Sequence, residues 1–150
     1  TGAKLQRFSI SLRPIEIKQA KMLTHYIKTY PLCLLALLVI LALSLIRVPE
    51  VPVADDVPLM DKWTHMVMYT TLTLVIWWQY LHSHKRVNWI RLSVLGTVAP
   101  IAWGGLMELA QAYLTTYRSG DWWDFVANCI GVAIAVVIGT LALQKRAKTR

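Results

Sequence analysis

The sequence predicts an all-α integral membrane protein, built as a four-helix bundle and preceded by a basic N-terminal segment. Hydrophobic residues make up 56% of the 150 residues, and the mean hydropathy is +0.46. Charged residues supply 16%, whereas about 25% is typical of a soluble domain. The sequence also contains uncharged stretches that are long enough to cross about 30 Å of hydrocarbon. Together these observations exclude an ordinary soluble domain.

Four stretches are predicted to span the membrane, at residues 31–47, 63–82, 92–114 and 124–144. The first is the plainest, because it is almost wholly Leu, Ala, Val and Ile. The second and third carry polar residues, so one face of each is expected to point inward. The fourth is rich in small residues, namely Ala127, Gly131, Ala133, Ala135 and Gly139, which let helices approach closely. We therefore expect the fourth helix to be central within a membrane domain at 31–145.

The charge distribution predicts the orientation of the chain. Thirteen of the sixteen basic residues lie in segments 1–30, 85–91 and 145–150, whereas six acids lie in the two alternate loops. By the positive-inside rule both termini face the cytoplasm and the acidic loops face outward. The net charge of +8 thus reports orientation, so the lipid bilayer is the expected partner and nucleic acid is excluded.

The basic segment at 1–30 admits two interpretations. Its apolar residues alternate with lysines and arginines, which is typical of an amphipathic helix lying on an anionic membrane surface. Pro14 places the start of that helix near Ile15. A solvated basic tail that fixes topology explains the charges equally well. Residues 146–150 are expected to form a short basic cytoplasmic tail.

Aspartates are expected to begin two of the helices. The loop at 48–60 contains three prolines and is predicted to be extended. Asp61 would then be the N-cap of the second spanning helix, and Asp121 or Asp124 the N-cap of the fourth.

Polar residues recur at helical spacing near the outer ends of three helices. Asp61, His65 and Tyr69 are four residues apart, and Asp124 and Asn128 are also four apart, so each set shares a helix face. Glu108 and Gln111 are spaced by three. At a rise of about 1.5 Å per residue all three sets reach the same depth. Ionisable groups at membrane depth are costly and usually mark functional sites.

These residues define a candidate ligand-binding pocket that opens outward, with Lys62 and Arg118 as the cations near it. The ten candidates are Asp61, Lys62, His65, Tyr69, Glu108, Gln111, Arg118, Asp121, Asp124 and Asn128. Helix caps, ion pairs and interhelical hydrogen bonds are the structural alternative for each one alone.

No metal or cofactor is predicted from the sequence. His65 lacks a histidine or cysteine neighbour at metal-ligand spacing, and the two cysteines, Cys33 and Cys129, stand alone in apolar runs.

The ordered polar residues resemble the VanZ-like family of small bacterial membrane proteins. The pattern is Asp61-Lys62-x-x-His65-x-x-x-Tyr69, Glu108-x-x-Gln111, and Arg118-x-x-Asp121-x-x-Asp124-x-x-x-Asn128-x-x-Gly131. This resemblance covers about residues 30–145. It implies a multi-pass protein of the bacterial cytoplasmic membrane, in a family whose founding member is associated with resistance to the glycopeptide teicoplanin. Because function belongs to sites rather than folds, the resemblance does not assign a ligand.

Three functions are compatible with the sequence. The first is binding, without transport, of a lipid-linked or cell-wall component, or of a lipidated glycopeptide, at the outer leaflet. The second is an enzyme on such a substrate, with His65 or Glu108 as general base and Arg118 stabilising negative charge. No nucleophile motif is present, so binding is favoured over catalysis. The third is a small proton-coupled transporter. The position of the polar layer at one surface argues against transport, because transport sites usually lie near the midplane.

Overall fold

The computed structural model describes residues 17–46, 58–116 and 120–148, and the side chains of the last segment as far as residue 145. These residues are mainly helical and include no β-strand. Arg118, which belongs to the predicted pocket, lies outside the described residues, as do Pro14 and Ile15.

The chain divides into two compact units, residues 1–31 and residues 32–150. In the first unit, helix α1 covers Ile17–Thr29. Its side chains are largely exposed, with apolar residues such as Leu23 beside Lys21 and Lys28. A helix is therefore present where an interfacial helix is predicted, and its placement on a membrane stays a prediction.

The second unit contains helices at all four predicted spans. They are α2 (Pro31–Leu45), α3 (Met60–Ser83), α4 (Trp89–Ser93) followed by a π-helical turn (Val94–Val98) and α5 (Ala99–Leu114), and α6 (Trp122–Lys148). Helix α2 ends two residues before the predicted limit, and α3 begins three residues earlier than predicted.

Two of the described helical stretches are long and apolar enough to cross a membrane, Trp89–Leu114 and Trp122–Lys145. The pair Ile17–Thr29 and Pro31–Leu45, interrupted at Tyr30, would add a third if it forms one span. Helix α3 also has the length for a span, but its polar stripe lowers its hydropathy. The membrane character of the chain therefore agrees with its composition.

The π-helical turn has a local cause in Pro100. Proline has no N–H, so Pro100 cannot donate to the carbonyl of Gly96 four residues earlier. Instead the indole Nε1 of Trp77 on α3 donates to the Gly96 oxygen at 3.3 Å. The backbone N–H of Ala99 reaches five residues back to the Val94 oxygen. The irregular turn thereby joins α3 to the helix pair α4 and α5.

The two predicted caps have different outcomes. Helix α3 begins after Leu59, whose φ of 61° is left-handed, and no side chain caps it. The prediction that Asp61 is the N-cap is therefore wrong, because Asp61 lies within the first turn. Asp121 does cap α6, since its Oδ1 accepts the backbone N–H of Trp123 at 2.9 Å. Asp124 is thereby left free to turn inward.

Helix α6 packs most extensively against α3. Its contact face is a ridge of small residues spaced by four, Ala127, Gly131, Ala135 and Gly139, all buried. At Gly131 a Cβ atom would collide with the backbone oxygen of Met66, so only glycine permits this approach. Ala133, predicted to belong to this set, is exposed instead.

Side-chain hydrogen bonds attach α2 at both ends. Gln79, near the end of α3, accepts the backbone N–H of Cys33 at 2.8 Å. Gln111, near the end of α5, donates to the backbone oxygen of Ser44 at 3.2 Å. Neighbouring helices in the chain therefore alternate in direction, which brings the start of α3, the end of α5 and the start of α6 together.

Candidate functional site

His65 is the centre of a buried polar cluster formed where these three helix ends meet. It extends from the second turn of α3 and is 2% exposed. Its Nδ1 lies 3.1 Å from Asn128 Oδ1 and 3.6 Å from Glu108 Oε1. Its Nε2 lies 3.9 Å from Asp61 Oδ1 and 3.8 Å from Asp124 Oδ2. One imidazole thus connects residues from α3, α5 and α6.

The hydrogen bonds of Asn128 determine which nitrogen of His65 carries a proton. The amide Nδ2 of Asn128, a donor, lies 3.3 Å from the carboxylate oxygen Oε1 of Glu108. The Asn128 oxygen must then face His65 and accept a hydrogen bond from Nδ1–H. In a neutral imidazole the lone pair therefore lies on Nε2, which points toward Asp61 and Asp124.

Lys62 links the exposed rim of the cluster to its buried part. Its Nζ lies 2.5 Å from Asp121 Oδ2 and 2.7 Å from Asp124 Oδ1. Hydrogen bonding to Asp121, and then to Asp124, holds the pKa of Lys62 above its ordinary value. The same contact with Lys62, aided by the N–H of Trp123, lowers the pKa of Asp121. Both groups are therefore charged at neutral pH.

Glu108 reaches the cluster from the penultimate turn of α5 and is 8% exposed. Its Oε1 meets Asn128 and His65, whereas its buried Oε2 has no hydrogen-bond partner among the described residues. The buried hydroxyl of Tyr69 is also without one. Unsatisfied buried polar atoms cost stability, so the two beside the cluster favour a functional interpretation, although the Thr73 hydroxyl and the Trp103 indole N–H are also unsatisfied among the described residues.

The described cluster contains more acidic than basic side chains. Four carboxylates, those of Asp61, Glu108, Asp121 and Asp124, face one lysine and one histidine. Asp124, which is 4% exposed, is the most buried of the four. An arrangement of this kind can bind cationic groups.

Seven of the ten predicted pocket residues contact one another in this cluster. They are Asp61, Lys62, His65, Glu108, Asp121, Asp124 and Asn128. Tyr69 lies one turn below His65 and is buried. Gln111 is buried as well, but its amide bonds to Ser44, so it ties α5 to α2.

Two glycines, which the pocket prediction did not include, shape the cluster. A Cβ atom on Gly104 would lie 3.2 Å from Asn128 Nδ2 and 3.3 Å from the Tyr69 ring. A Cβ atom on Gly120 would lie 2.6 Å from the backbone oxygen of Glu108. The first glycine leaves room for the side chains and the second lets the connection to α6 approach α5.

Comparison with known proteins shows one relative in a fungus. The chain is 33% identical over 116 residues to an uncharacterized protein of Schizosaccharomyces pombe. The match covers 77% of this chain and 65% of the relative, so the chain spans less than two thirds of that protein's length. No family model matches the chain. No solved structure matches it either.

Proposed function

We propose that this chain is a four-span membrane protein, related to the VanZ-like proteins, that binds the polar head of a lipid or lipid-linked cell-envelope molecule. The observation that carries this function is the His65 cluster, which gathers ionisable and amide side chains at one end of helices with apolar outer faces. Soluble helix bundles bury apolar residues and expose polar ones. At the cluster end of this protein, polar side chains are buried and large apolar side chains are exposed.

Four crossings are supported by the outer surfaces of the helices. Large apolar side chains are exposed on every helix of the second unit, among them Leu38 on α2, Val67 on α3, Leu106 on α5 and Val137 on α6. An exposed apolar surface of this extent is typical of contact with lipid. Helix α3 fits the same environment, because its polar stripe faces the other helices and its apolar side faces out.

The cluster end is proposed to lie at the outer face of the membrane, following the charge distribution of the sequence. Trp63, Trp122 and Trp123 are exposed at this end. Tryptophans of this kind concentrate at membrane interfaces, where their rings sit at headgroup level. A lipid headgroup would then meet the cluster without leaving its own leaflet.

A headgroup carrying both an amine and a phosphate matches the chemistry of this site. The exposed carboxylates of Asp61 and Asp121 would accept hydrogen bonds from the amine. Lys62 would exchange one of its two carboxylate partners for the phosphate. Arg118, three residues before Asp121 in the sequence, is a second candidate for the phosphate.

The relation to VanZ-like proteins is supported by the order and spacing of the polar residues quoted above. A bacterial source and a link to glycopeptide resistance stay predictions of that resemblance, and the relative found is fungal. Recognition of a headgroup common to many membranes accommodates both kinds of organism.

Catalysis on the bound molecule is the second candidate, and the 3.6 Å contact between His65 and Glu108 favours it. That pair supplies a general acid and base in a buried setting. Proton-coupled transport remains third, because the cluster lies at one end of the helices and transport sites usually lie near the midplane.

Native mass spectrometry of the full chain in mild detergent tests the binding function. The probes are phosphatidylethanolamine, phosphatidylglycerol and a polyprenyl phosphate, each titrated separately. We expect saturable retention of one phosphatidylethanolamine per chain, weakened about tenfold by Glu108→Ala. Equal, non-saturating retention of all three probes would contradict lipid-head recognition.

Gln79→Ala is the matched control, since Gln79 is a buried polar residue at the opposite end of α3. We expect it to retain lipid like the wild type. If Gln79→Ala and Glu108→Ala lose lipid equally, the loss comes from weakened packing and the cluster does not bind the head.

A further inference from the structure

We propose that Asp61, His65 and Asp124 form a binding site for a divalent transition-metal cation, of the type that takes Zn²⁺ or Mn²⁺. One ligand atom from each residue lies within 4.8 Å of the others. The site goes beyond lipid recognition and does not depend on it, because its ligands all come from the protein.

The spacing of the three ligand atoms suits such an ion. His65 Nε2 is 3.9 Å from Asp61 Oδ1 and 3.8 Å from Asp124 Oδ2. Ligands about 2.1 Å from a tetrahedral zinc lie about 3.4 Å apart. The Asp61 and Asp124 ligand atoms lie within 4.8 Å of each other, so side-chain movements of about 0.5–1.4 Å would close the triangle around an ion.

The histidine is also prepared for this role by its own hydrogen bonds. Asn128 Oδ1 accepts a hydrogen bond from His65 Nδ1–H. The lone pair on Nε2 is therefore directed toward the two carboxylates. His65 is 2% exposed, and the contacts of its Nε2 with the two carboxylates, at 3.8 and 3.9 Å, are longer than a hydrogen bond. A lone pair facing two carboxylates is repelled unless a cation or proton lies between them. Metal-bound histidines commonly donate their other N–H to an oxygen in this way.

A divalent cation would offset part of the acidic excess near the triad, where Glu108 is a further acid beside His65. The two carboxylate ligands neutralise an ion of charge +2. Lys62 and Asp121 form a pair beside the triad, and Lys62 contacts the Asp124 oxygen Oδ1, leaving Oδ2 for the ion. The Asp61 side chain is 47% exposed, so it provides an entry from solvent. Three protein ligands leave a fourth position for water or for a ligand oxygen.

A chain in which His65 is the single remaining histidine tests the site without altering its ligands. The sequence contains four histidines, and His25, His82 and His84 are replaced by Gln in this variant. After chelator treatment, the full-length variant in detergent is titrated with Zn²⁺ and, separately, with Mn²⁺ by calorimetry. We expect one ion per chain with Kd below roughly 10 µM. Zinc X-ray absorption should show one imidazole nitrogen in the coordination shell, which must belong to His65.

Single substitutions locate the ion among the acids. Asp124→Asn should weaken binding at least about tenfold, as should His65→Gln. Gln79→Ala is the matched control, because Gln79 is a buried polar residue at the opposite end of α3, and binding should stay within about threefold. No binding at roughly 100 µM ion, a zinc shell without imidazole, or equal affinity in Asp124→Asn and wild type would each overturn the site. Because the triple variant leaves the triad intact, misfolding of Asp124→Asn would not prevent a decision.

Discussion

The two halves of the α3 and α6 pair are built on opposite principles. In one half His65, Asp124 and Asn128 form a polar cluster with unsatisfied buried atoms beside it. In the other half Trp77 fits between Gly96 and Gly139, and its indole N–H is hydrogen-bonded. The packed half supplies stability, whereas the cluster half holds groups that cost stability and that chemistry can use. Natural proteins commonly combine the two in this way.

A large stability loss is expected in the packed half. A Cβ atom on Gly139 would overlap the Trp77 ring, which Gly96 already confines from another side. Gly139→Ala should lower the free energy of unfolding by about 1–3 kcal/mol, measured by denaturant titration in detergent.

Gly105→Ala is the matched control for Gly139→Ala. Its Cβ atom would lie 3.5 Å from the Phe125 ring, an ordinary contact. Because alanine favours helix over glycine, this change should raise the free energy of unfolding by up to about 1 kcal/mol. If both alanine variants change stability alike, steric confinement does not distinguish the packed half.

Trp77→Phe should cause a smaller loss, because it keeps an aromatic ring between the two glycines. It removes the donor to the Gly96 oxygen, whose usual partner is missing on account of Pro100. We expect a loss of about 1–2 kcal/mol in unfolding free energy. A shift of the Gly96 carbonyl band in infrared spectra of labelled protein would show that the oxygen has lost its partner, and an unchanged band would contradict this role.

Asn128→Ala should separate stability from function in the cluster half. It leaves His65 Nδ1 and Glu108 Oε1 without the amide between them, so a loss of about 1 kcal/mol is expected. Lipid retention should fall about tenfold, because the orientation of His65 is lost. Gln79→Ala, which removes a hydrogen bond of similar size at the other end, should lower stability equally and leave lipid retention intact.

Much of the fold could be predicted from the sequence, because helical length and polarity are local properties. The helices at the four predicted spans depend on apolar runs, and the convergence of Asp61, His65, Glu108 and Asn128 follows from spacing and rise per residue. The start of α3 could not be predicted in the same way, since Leu59 adopts a left-handed conformation that its residue type does not signal.

Tertiary contacts account for the other differences between prediction and structure. Gln111 has the spacing of a pocket residue, yet its amide donates a hydrogen bond to the backbone oxygen of Ser44. The π-helical turn at Val94–Val98 follows from Pro100, but the donor to the Gly96 oxygen is Trp77 on another helix, and nothing in the local sequence supplies that contact. Contacts of this kind join residues far apart in the chain.

The free energy of unfolding of Glu108→Gln tests the central claim most directly, namely that the cluster serves binding and not stability. Glutamine keeps the shape and the acceptor that Asn128 uses, and it replaces a buried carboxyl group that has an unsatisfied oxygen. We expect stability equal to the wild type or higher by up to about 1 kcal/mol, since replacing a buried charge is often neutral or stabilising. A loss of more than about 2 kcal/mol would show that the Glu108 carboxylate holds the helices together, and would contradict the claim.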